Sequence, residues 1–400
     1  MLRRLCFLCL LCGRSLAAQQ AVTRADAIAA ALSRGARAAV GRADTAAAAA
    51  TLHAARLYPN PSVAATYTKD TPHYHVIADV PLDLPWLRGA RIGAAAASRD
   101  AARYSFAFER AAIRFDIDTA YTHAVAARAH ARLSRRTALD ADSLLRMAQL
   151  RRQVGDVSEL DVRLAEVNAG ALENVAADDS LAALDALVQV QLAMGLPGAA
   201  PTIALADSLL LAPDDSEPAP IAEPLSVVAA AADLRAQERT LTLAHRSLLP
   251  APSFQVGIEQ GDPAGPSQAL PTFGVALAIP LFNWNGGEVR LAAAARARAQ
   301  ANLDLVQRES QSALARAQRA YHAARVRLAR DERLLAGADT VAAMSLRAYA
   351  EGAVALPNVL EAHRNARDAL ARYIDDLAAT NDTYAALLLL AATDSPTEKQ

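Results

Sequence analysis

Apolar and polar positions along the chain follow two alternating rhythms, and the change from one to the other marks out the elements. From Ser62 to Lys69 and from His73 to Pro81 the pattern has period two. Val63, Ala65 and Tyr67 share one face with Tyr74, Val76, Ala78 and Val80, opposite His73, His75 and Asp79. This predicts a β-hairpin over 62–81 with one oily side and one wet side, turning at Lys69-Asp70-Thr71-Pro72. A second hairpin is predicted over 253–280, with Phe254, Val256, Ile258, Phe273, Val275, Leu277 and Ile279 facing away from Gln255, Gly257 and Glu259, and with Gly261 to Pro271 as its loop.

Elsewhere apolar residues recur at steps of three and four. In 88–152 the stripe is Ile113, Ile117, Ala120, Ala124, Ala127 and Ala131, and in 288–349 it is Leu314, Ala317, Tyr321, Ala324 and Leu328. No proline interrupts either stretch. Each predicts a proline-free helix of roughly 90 Å at ~1.5 Å per residue, packed on neighbours through small residues as in a coiled coil. Residues 23–57 read as one further helix capped by Thr23 and stopped by Tyr58-Pro59-Asn60-Pro61. Both long helices break at glycine, Gly155 and Gly352, and reverse into helices running to about Leu196 and Leu390. Ser158 and Asp161 have the spacing of a capping box, and Pro357 suits a first helical turn.

The order of these elements repeats. Leu57-Tyr58-Pro59-Asn60-Pro61-Ser62, Val80-Pro81-Leu82, Ala120-Tyr121 and Gly155-Asp156-Val157 are answered by Leu248-Leu249-Pro250-Ala251-Pro252-Ser253, Ile279-Pro280-Leu281, Ala320-Tyr321 and Gly352-Ala353-Val354, at offsets of 191, 199, 200 and 197 residues. The expected organisation is therefore an internal duplication: a first repeat over 19–196, a proline-rich acidic linker over 197–224, a second repeat over 225–392 and a disordered tail over 393–400.

Composition sharpens this picture. The chain is 53% apolar but only 4% aromatic, which suits long close-packed helices. Residues 1–18 have the three-part pattern of a secretory signal, with cleavage expected after Ala17 or Ala18. All three cysteines, Cys6, Cys9 and Cys12, lie in that segment, and the bulky Leu11 argues against Cys12 as a lipid-anchoring residue. Loss of Arg3, Arg4 and Arg14 takes the formal charge from −1 to −4, with no basic stripe for nucleic acid. Beyond the signal no apolar run is long enough for a transmembrane helix, so any membrane crossing must use strands. Four strands cannot close a barrel, and open edges are not tolerated in lipid; several chains must pool their strands, or the hairpins pack on each other in a soluble periplasmic coiled-coil scaffold.

On these residues the chain resembles the TolC-type outer-membrane efflux family. The resemblance is carried by Val22-Thr23-Arg24-Ala25-Asp26-Ala27-Ile28, by Leu57-Tyr58-Pro59-Asn60-Pro61, by Ile279-Pro280-Leu281-Phe282-Asn283-Trp284-Asn285-Gly286-Gly287, and by Tyr349-Ala350-Glu351-Gly352 followed by Val359-Leu360-Glu361-Ala362. It departs from the family at Gly35-Ala36-Arg37, where Asn-Pro is usual. The resemblance implies a mainly α fold with a small β part. Long antiparallel α-helical hairpins would form a coiled-coil α-barrel, and four strands per chain would form a shared 12-stranded β-barrel in a homotrimer. It further implies a passive exit duct of a tripartite efflux or type I secretion system, in the outer membrane and periplasm, docked through a periplasmic adaptor onto an inner-membrane pump of RND type. The compact length is similar to the metal-cation branch typified by CzcC.

The candidate sites follow. Gly155, Ser158, Gly352 and Pro357 lie at the turns the family presents to its adaptor; Asp161 and Asn358 would line the tunnel tip; His73, His75, Asp79, Gln255 and Glu259 would face the barrel lumen. Trp86 and Trp284 stand where strands leave the barrel. His73 and His75 are the one metal-touching pair considered, and a merely polar strand accounts for them better; no metal or cofactor is expected. No residues pair an activated nucleophile with a base, so no enzyme is expected.

Overall fold

The computed structural model describes residues 20–211, 223–248, 251–261 and 269–392. The signal segment, the acidic part of the linker, most of the second hairpin loop and the tail lie outside the described residues. The chain runs β1 (Gln20–Val22), α1 (Arg24–Arg34), α2 (Ala36–Arg56), β2 (Ser62–Tyr67), β3 (Tyr74–Pro81), α3 (Pro85–Gln153), α4 (Glu159–Ala193), β4 (Ile203–Leu205), α5 (Leu225–Arg246), β5 (Ser253–Gln260), β6 (Leu270–Ala276), α6 (Gly286–Ala350) and α7 (Leu356–Leu390). The described residues divide into two compact units, one built from those within 20–39, 110–211 and 313–392, the other from those within 40–109 and 223–312. The long helices α3 and α6 contribute to both.

In the first unit, Val22, Ala27, Ala31, Ile113, Ile117, Tyr121, Ala124, Val125, Val190 and Ile203 form one buried cluster. Ile113, Ile117, Ala120 and Ala124 of the apolar stripe read along α3 thus face this core, while Ala127 and Ala131 lie outside it. Two elements differ from the sequence expectation. The helix predicted over 23–57 is two helices, because Gly35 is extended, with φ −60° and ψ 142°. A Cβ there would lie 2.2 Å from the carbonyl oxygen of Ala31. The linker is not featureless either: β4, within it, pairs in parallel with β1, and Ile203 and Leu205 are buried. Gln191, also buried, accepts the Thr202 amide N–H at 2.7 Å through its side-chain oxygen, which fixes the chain leading into β4.

The second unit holds a single four-stranded antiparallel sheet in the order β2-β3-β5-β6, so β2 and β6 are its edges. The loop expected over 261–271 is shorter at its far end, because β6 starts at Leu270. Pro271 pairs opposite Ile258 on the edge strand, where its missing N–H removes no ladder bond on the free side. The strand also stops at Ala276, short of Leu277 and Ile279. Its partner β5 begins at Ser253, just after Pro252, and the last pair of the ladder is Ser253↔Ala276. Leu52, Ala55 and Ala95 form a small buried cluster where α2 meets α3 in this unit.

Candidate functional site

The register of the sheet decides which side chains share a face. Val63↔Ala78, Ala65↔Val76 and Tyr67↔Tyr74 join β2 to β3; Val76↔Ile258, Ala78↔Val256 and Val80↔Phe254 join β3 to β5; Val256↔Phe273 and Phe254↔Val275 join β5 to β6. Side chains alternate across a pleated strand, so these rows make one continuous apolar face over all four strands. That face is the exposed one: Val63 is 70% exposed, Phe273 68% and Val275 71%. On β3, β5 and β6 the opposite face, with Asp79, Gln255, Gly257, Glu259, Thr272 and Gly274, is more sheltered, while its β2 residues Ser62, Ala64 and Thr66 and the first residue of β6, Leu270, are exposed. The sheet is inside out relative to a water-soluble protein, where the apolar face is the one hidden.

Four of the five lumen candidates sit together on the sheltered face. His75 stands opposite Glu259, with Nδ1 3.4 Å from the carboxylate and Nε2 3.2 Å from the Thr68 hydroxyl. Asp79 stands opposite Gln255 and accepts a 2.7 Å hydrogen bond from the Ser253 hydroxyl. His73 departs from the pattern. It lies before β3 in the turn, and its ring stacks on Tyr67, whose partner in the ladder belongs to the apolar face, with centroids 5.9 Å apart. The two histidines do not form a matched pair. Among the described residues no group of three or more His, Cys, Asp or Glu is placed to hold a metal ion, and no helix is long and apolar enough to cross a membrane.

Where β3 gives way to α3, a carboxylate that sequence reading missed organises the junction. The Asp83 side chain is 1% exposed and is gripped by Arg88 Nε at 3.2 Å and an Arg91 guanidinium nitrogen at 2.8 Å. The same arginines reach back to the end of α2: Arg88 donates to the Arg56 carbonyl, Arg91 to that of Ala55, and the Arg88 guanidinium lies 4.6 Å from the Tyr58 ring centre. A buried carboxylate must be paired, and this pairing fixes the strand-to-helix bend. The available signal was Asp83 between Pro81 and Pro85, with arginines five and eight residues on. Trp86, in the first turn of α3, and Leu281, Phe282 and Trp284, between β6 and α6, are exposed, Phe282 at 99%.

In the first unit the two helical turns are the same motif. Gly155 (φ +85°) and Gly352 (φ +75°) occupy the left-handed position after each long helix. The amide N–H groups of Asp156 and Ala353 reach back to the carbonyls of Arg151 and Ala348, a Schellman closure that glycine permits without strain. Ser158, Pro357, Asn358 and both glycines are exposed. Asp161 is committed locally: with Ser158 it completes the capping box, its carboxylate 3.1 Å from the Ser158 amide nitrogen and 2.8 Å from the Ser158 hydroxyl. Beneath the turns Leu144, Ala148, Ala165, Tyr349, Leu356 and Val359 form a buried cluster.

No protein-family model matches the chain, and no curated protein matches it by sequence. Solved structures do match its fold. One is CusC, 15% identical over 92% of this chain and 92% of that one, with a TM-score of 0.76. Another is the CmeC outer membrane channel of Campylobacter jejuni, 15% identical over 92% and 85%, TM-score 0.76. A membrane protein from Pseudomonas aeruginosa is 18% identical over 92% and 90%, TM-score 0.79. The chain therefore has a mostly helical fold with few strands, shared with solved outer-membrane channels, and this is the mainly α fold with a small β part that the resemblance to the TolC type implies.

Proposed function

We propose that this chain is the outer-membrane channel component of a tripartite efflux system. Three copies pool their strands into a 12-stranded barrel, and their helices continue it as a periplasmic tunnel. The observation that carries this reading is the inside-out sheet: an exposed apolar face across four strands, a sheltered polar face, and two edge strands left to pair with other copies. In lipid the apolar face meets acyl chains, the polar face lines water, and pooling closes the edges. In this reading residues 1–18 direct export and are removed, the two repeats arise by duplication, and the Gly155/Ser158 and Gly352/Pro357 turns meet a periplasmic adaptor that links the duct to an inner-membrane pump of RND type. The duct is passive and performs no catalysis.

The scaffold alternative requires the apolar strand faces to be sealed within one chain, and Val63, Phe273 and Val275 are exposed instead. The proposal is tested by expressing the chain with its signal, separating the membranes and extracting. Recovery in the outer-membrane fraction, release by detergent but not by carbonate, and a trimer on cross-linking are expected. A carbonate-soluble or strictly monomeric protein overturns it.

A further inference from the structure

In the first unit α3 and α7 pack against each other, and a histidine–aspartate pair joins them at each of two levels. His123 Nε2 lies 2.6 Å from an Asp382 carboxylate oxygen, and His130 Nε2 lies 2.8 Å from one of Asp375. The second pair is seven residues further along α3 and seven back along α7, which is the register of two antiparallel helices, and it sits roughly 10 Å away at ~1.5 Å per residue. Beside the pairs Ala126, Ile374 and Ala378 are buried, with Ala129 and Leu133 against them. Two alanines and one isoleucine hide little apolar surface, so the polar pairs weigh heavily in how firmly this stretch of α7 is held. Each pair has one sheltered and one open member: Asp382 is 26% exposed against 64% for His123, and His130 is 25% exposed against 68% for Asp375. The other charged groups nearby already have partners. Arg24 of α1 is 2.6 Å from Asp118 of α3, both of them close to Asp382. Toward α6, Asp376 is held by Arg327 at 2.9 Å and faces Asp331, with Arg330 and Arg372 near that carboxylate, while Glu332 lies near Tyr373.

From this geometry we infer that the α3–α7 seam is a proton-operated clamp, in which charged His123 and His130 draw α7 onto α3 and neutral ones let it slacken. Imidazole is the side chain whose ordinary charge change falls between about pH 5 and 8. When charged, it carries a proton on both nitrogens, so Nε2 always donates to the facing carboxylate. When neutral, it can place its one proton on Nδ1 and turn a lone pair toward the carboxylate instead. Solvent reaches the open member of each pair, so protons enter without unfolding. Asp382 acts in the same direction: burial raises it above the ordinary 3.8, against the hydrogen bond and charge of His123. A raised value makes the folded chain the tighter proton holder, so this contribution is complete below about 3.8 and fades as the pH climbs through the raised value. Because α3 leads into the Gly155 turn and α7 leads out of the Gly352 turn, the clamp sets how firmly the helices behind the two turns are joined. All of these groups belong to one copy of the chain, so the clamp operates whether or not copies assemble into a duct.

Amide hydrogen exchange reads local opening of a helix, so it tests the clamp on the full chain purified in detergent, at about pH 6 and about pH 8, with rates corrected for the pH dependence of chemical exchange. Residues 372–384 of α7 are expected to be protected about threefold or more better at the lower pH, a size set by two partly exposed ion pairs. Residues 172–184 of α4, which include no histidine, serve as the reference and should not respond. In His123→Gln/His130→Gln, which keeps side chains able to donate but removes the titration, most of the α7 response is expected to vanish, and α7 should exchange in that variant much as wild type does at about pH 8. Should the double variant lose protection in α4 as well, Asp375→Asn decides in its place, because that side chain is largely exposed and its loss is expected to lower the α7 response by about half. A wild-type α7 that exchanges equally at both pH values, or a response that survives in a folded His123→Gln/His130→Gln or is undiminished in Asp375→Asn, overturns the clamp. None of these outcomes bears on whether the strands of several copies form a barrel.

Discussion

Arg151, near the end of α3, lies over the ring of Tyr349, near the end of α6, with its guanidinium carbon 4.8 Å from the ring centre and a 2.7 Å hydrogen bond to the Tyr349 carbonyl. This contact ties one helical turn to the other, and it does so beside the two glycines that close the helices. Arg151 sits close enough to Gly352 that a Cβ there would meet its guanidinium at 3.6 Å. The tie combines a charge-assisted hydrogen bond with a cation–π contact. Arg151→Ala is expected to cost about 2–3 kcal/mol, and Arg151→Lys to recover only part of it, since a point charge cannot both stack and reach the carbonyl. Tyr349→Phe is expected to be neutral or slightly stabilising, because among the described residues the buried hydroxyl meets no partner in good hydrogen-bonding geometry, the neighbouring Arg151 guanidinium being directed to the Tyr349 carbonyl. Chemical denaturation of the three variants checks the contrast, and a large loss in Tyr349→Phe would contradict it.

Ser158 and Asp161 act as one unit at the start of α4, each satisfying a backbone amide that the helix leaves open. Ser158→Ala and Asp161→Ala are each expected to cost about 1 kcal/mol, and the double variant clearly less than the sum. Additive losses would mean that Ser158 and Asp161 are not coupled and do not cap the helix as a unit.

Much of this fold is legible in the sequence, and the illegible parts have physical reasons. The strand faces and long helices declare themselves because periodicity is local: each residue from Val63 to Val80 needs only its neighbours to announce its side. The limits of β6 do not, because Leu277 and Ile279 keep the alternation after the partner strand has run out. His73 fits the same alternation, but the turn carries its ring over Tyr67. β1 and β4 are three residues each and meet across some 180 residues of chain, so nothing nearby signals them. Asp207, which accepts a hydrogen bond from the Tyr121 hydroxyl 86 residues away, was missed for the same reason, whereas Asp83 has its arginine partners close by in the sequence and only its burial needed the folded chain.

Gly195 shows how tightly such distant segments meet. It holds φ +77°, and a Cβ would lie 2.7 Å from the Arg34 carbonyl oxygen and 3.3 Å from the Gly35 Cα, both backbone atoms that cannot swing aside. Gly195→Ala is expected to cost about 2 kcal/mol or more, through strain and the clash together. Gly170, inside α4, provides the counterpart, since a Cβ there would meet nothing within 4 Å. Gly170→Ala is expected to stabilise by about 0.5–1 kcal/mol. Thermal melts of the pair should move in opposite directions; a shared direction would show that these positions are governed by something other than local backbone fit.

Tyr121 supplies a pH-dependent test of the β1–β4 junction. Its ring is fully buried, and its hydroxyl lies 2.9 Å from both the Val22 carbonyl oxygen and Asp207 Oδ2, which also accepts the Arg24 amide N–H at 2.7 Å. Burial, followed by the hydrogen bond to Asp207, pushes the phenol up to about 12 from its ordinary 10.0. A raised value means that the folded state holds the proton more tightly than the unfolded chain. The stabilisation is therefore complete below about 10 and is lost as the pH climbs through about 12. At pH 8 Tyr121→Phe is expected to cost about 1–3 kcal/mol, because Asp207 and the Val22 carbonyl lose a donor. Between pH 10 and 12 the gap between wild type and variant should close, since only the wild type has a phenolic proton to lose. Unfolding midpoints measured across that range decide it: a gap that stays constant or widens would mean that the Tyr121 hydroxyl does not hold the N-terminal strand to the linker.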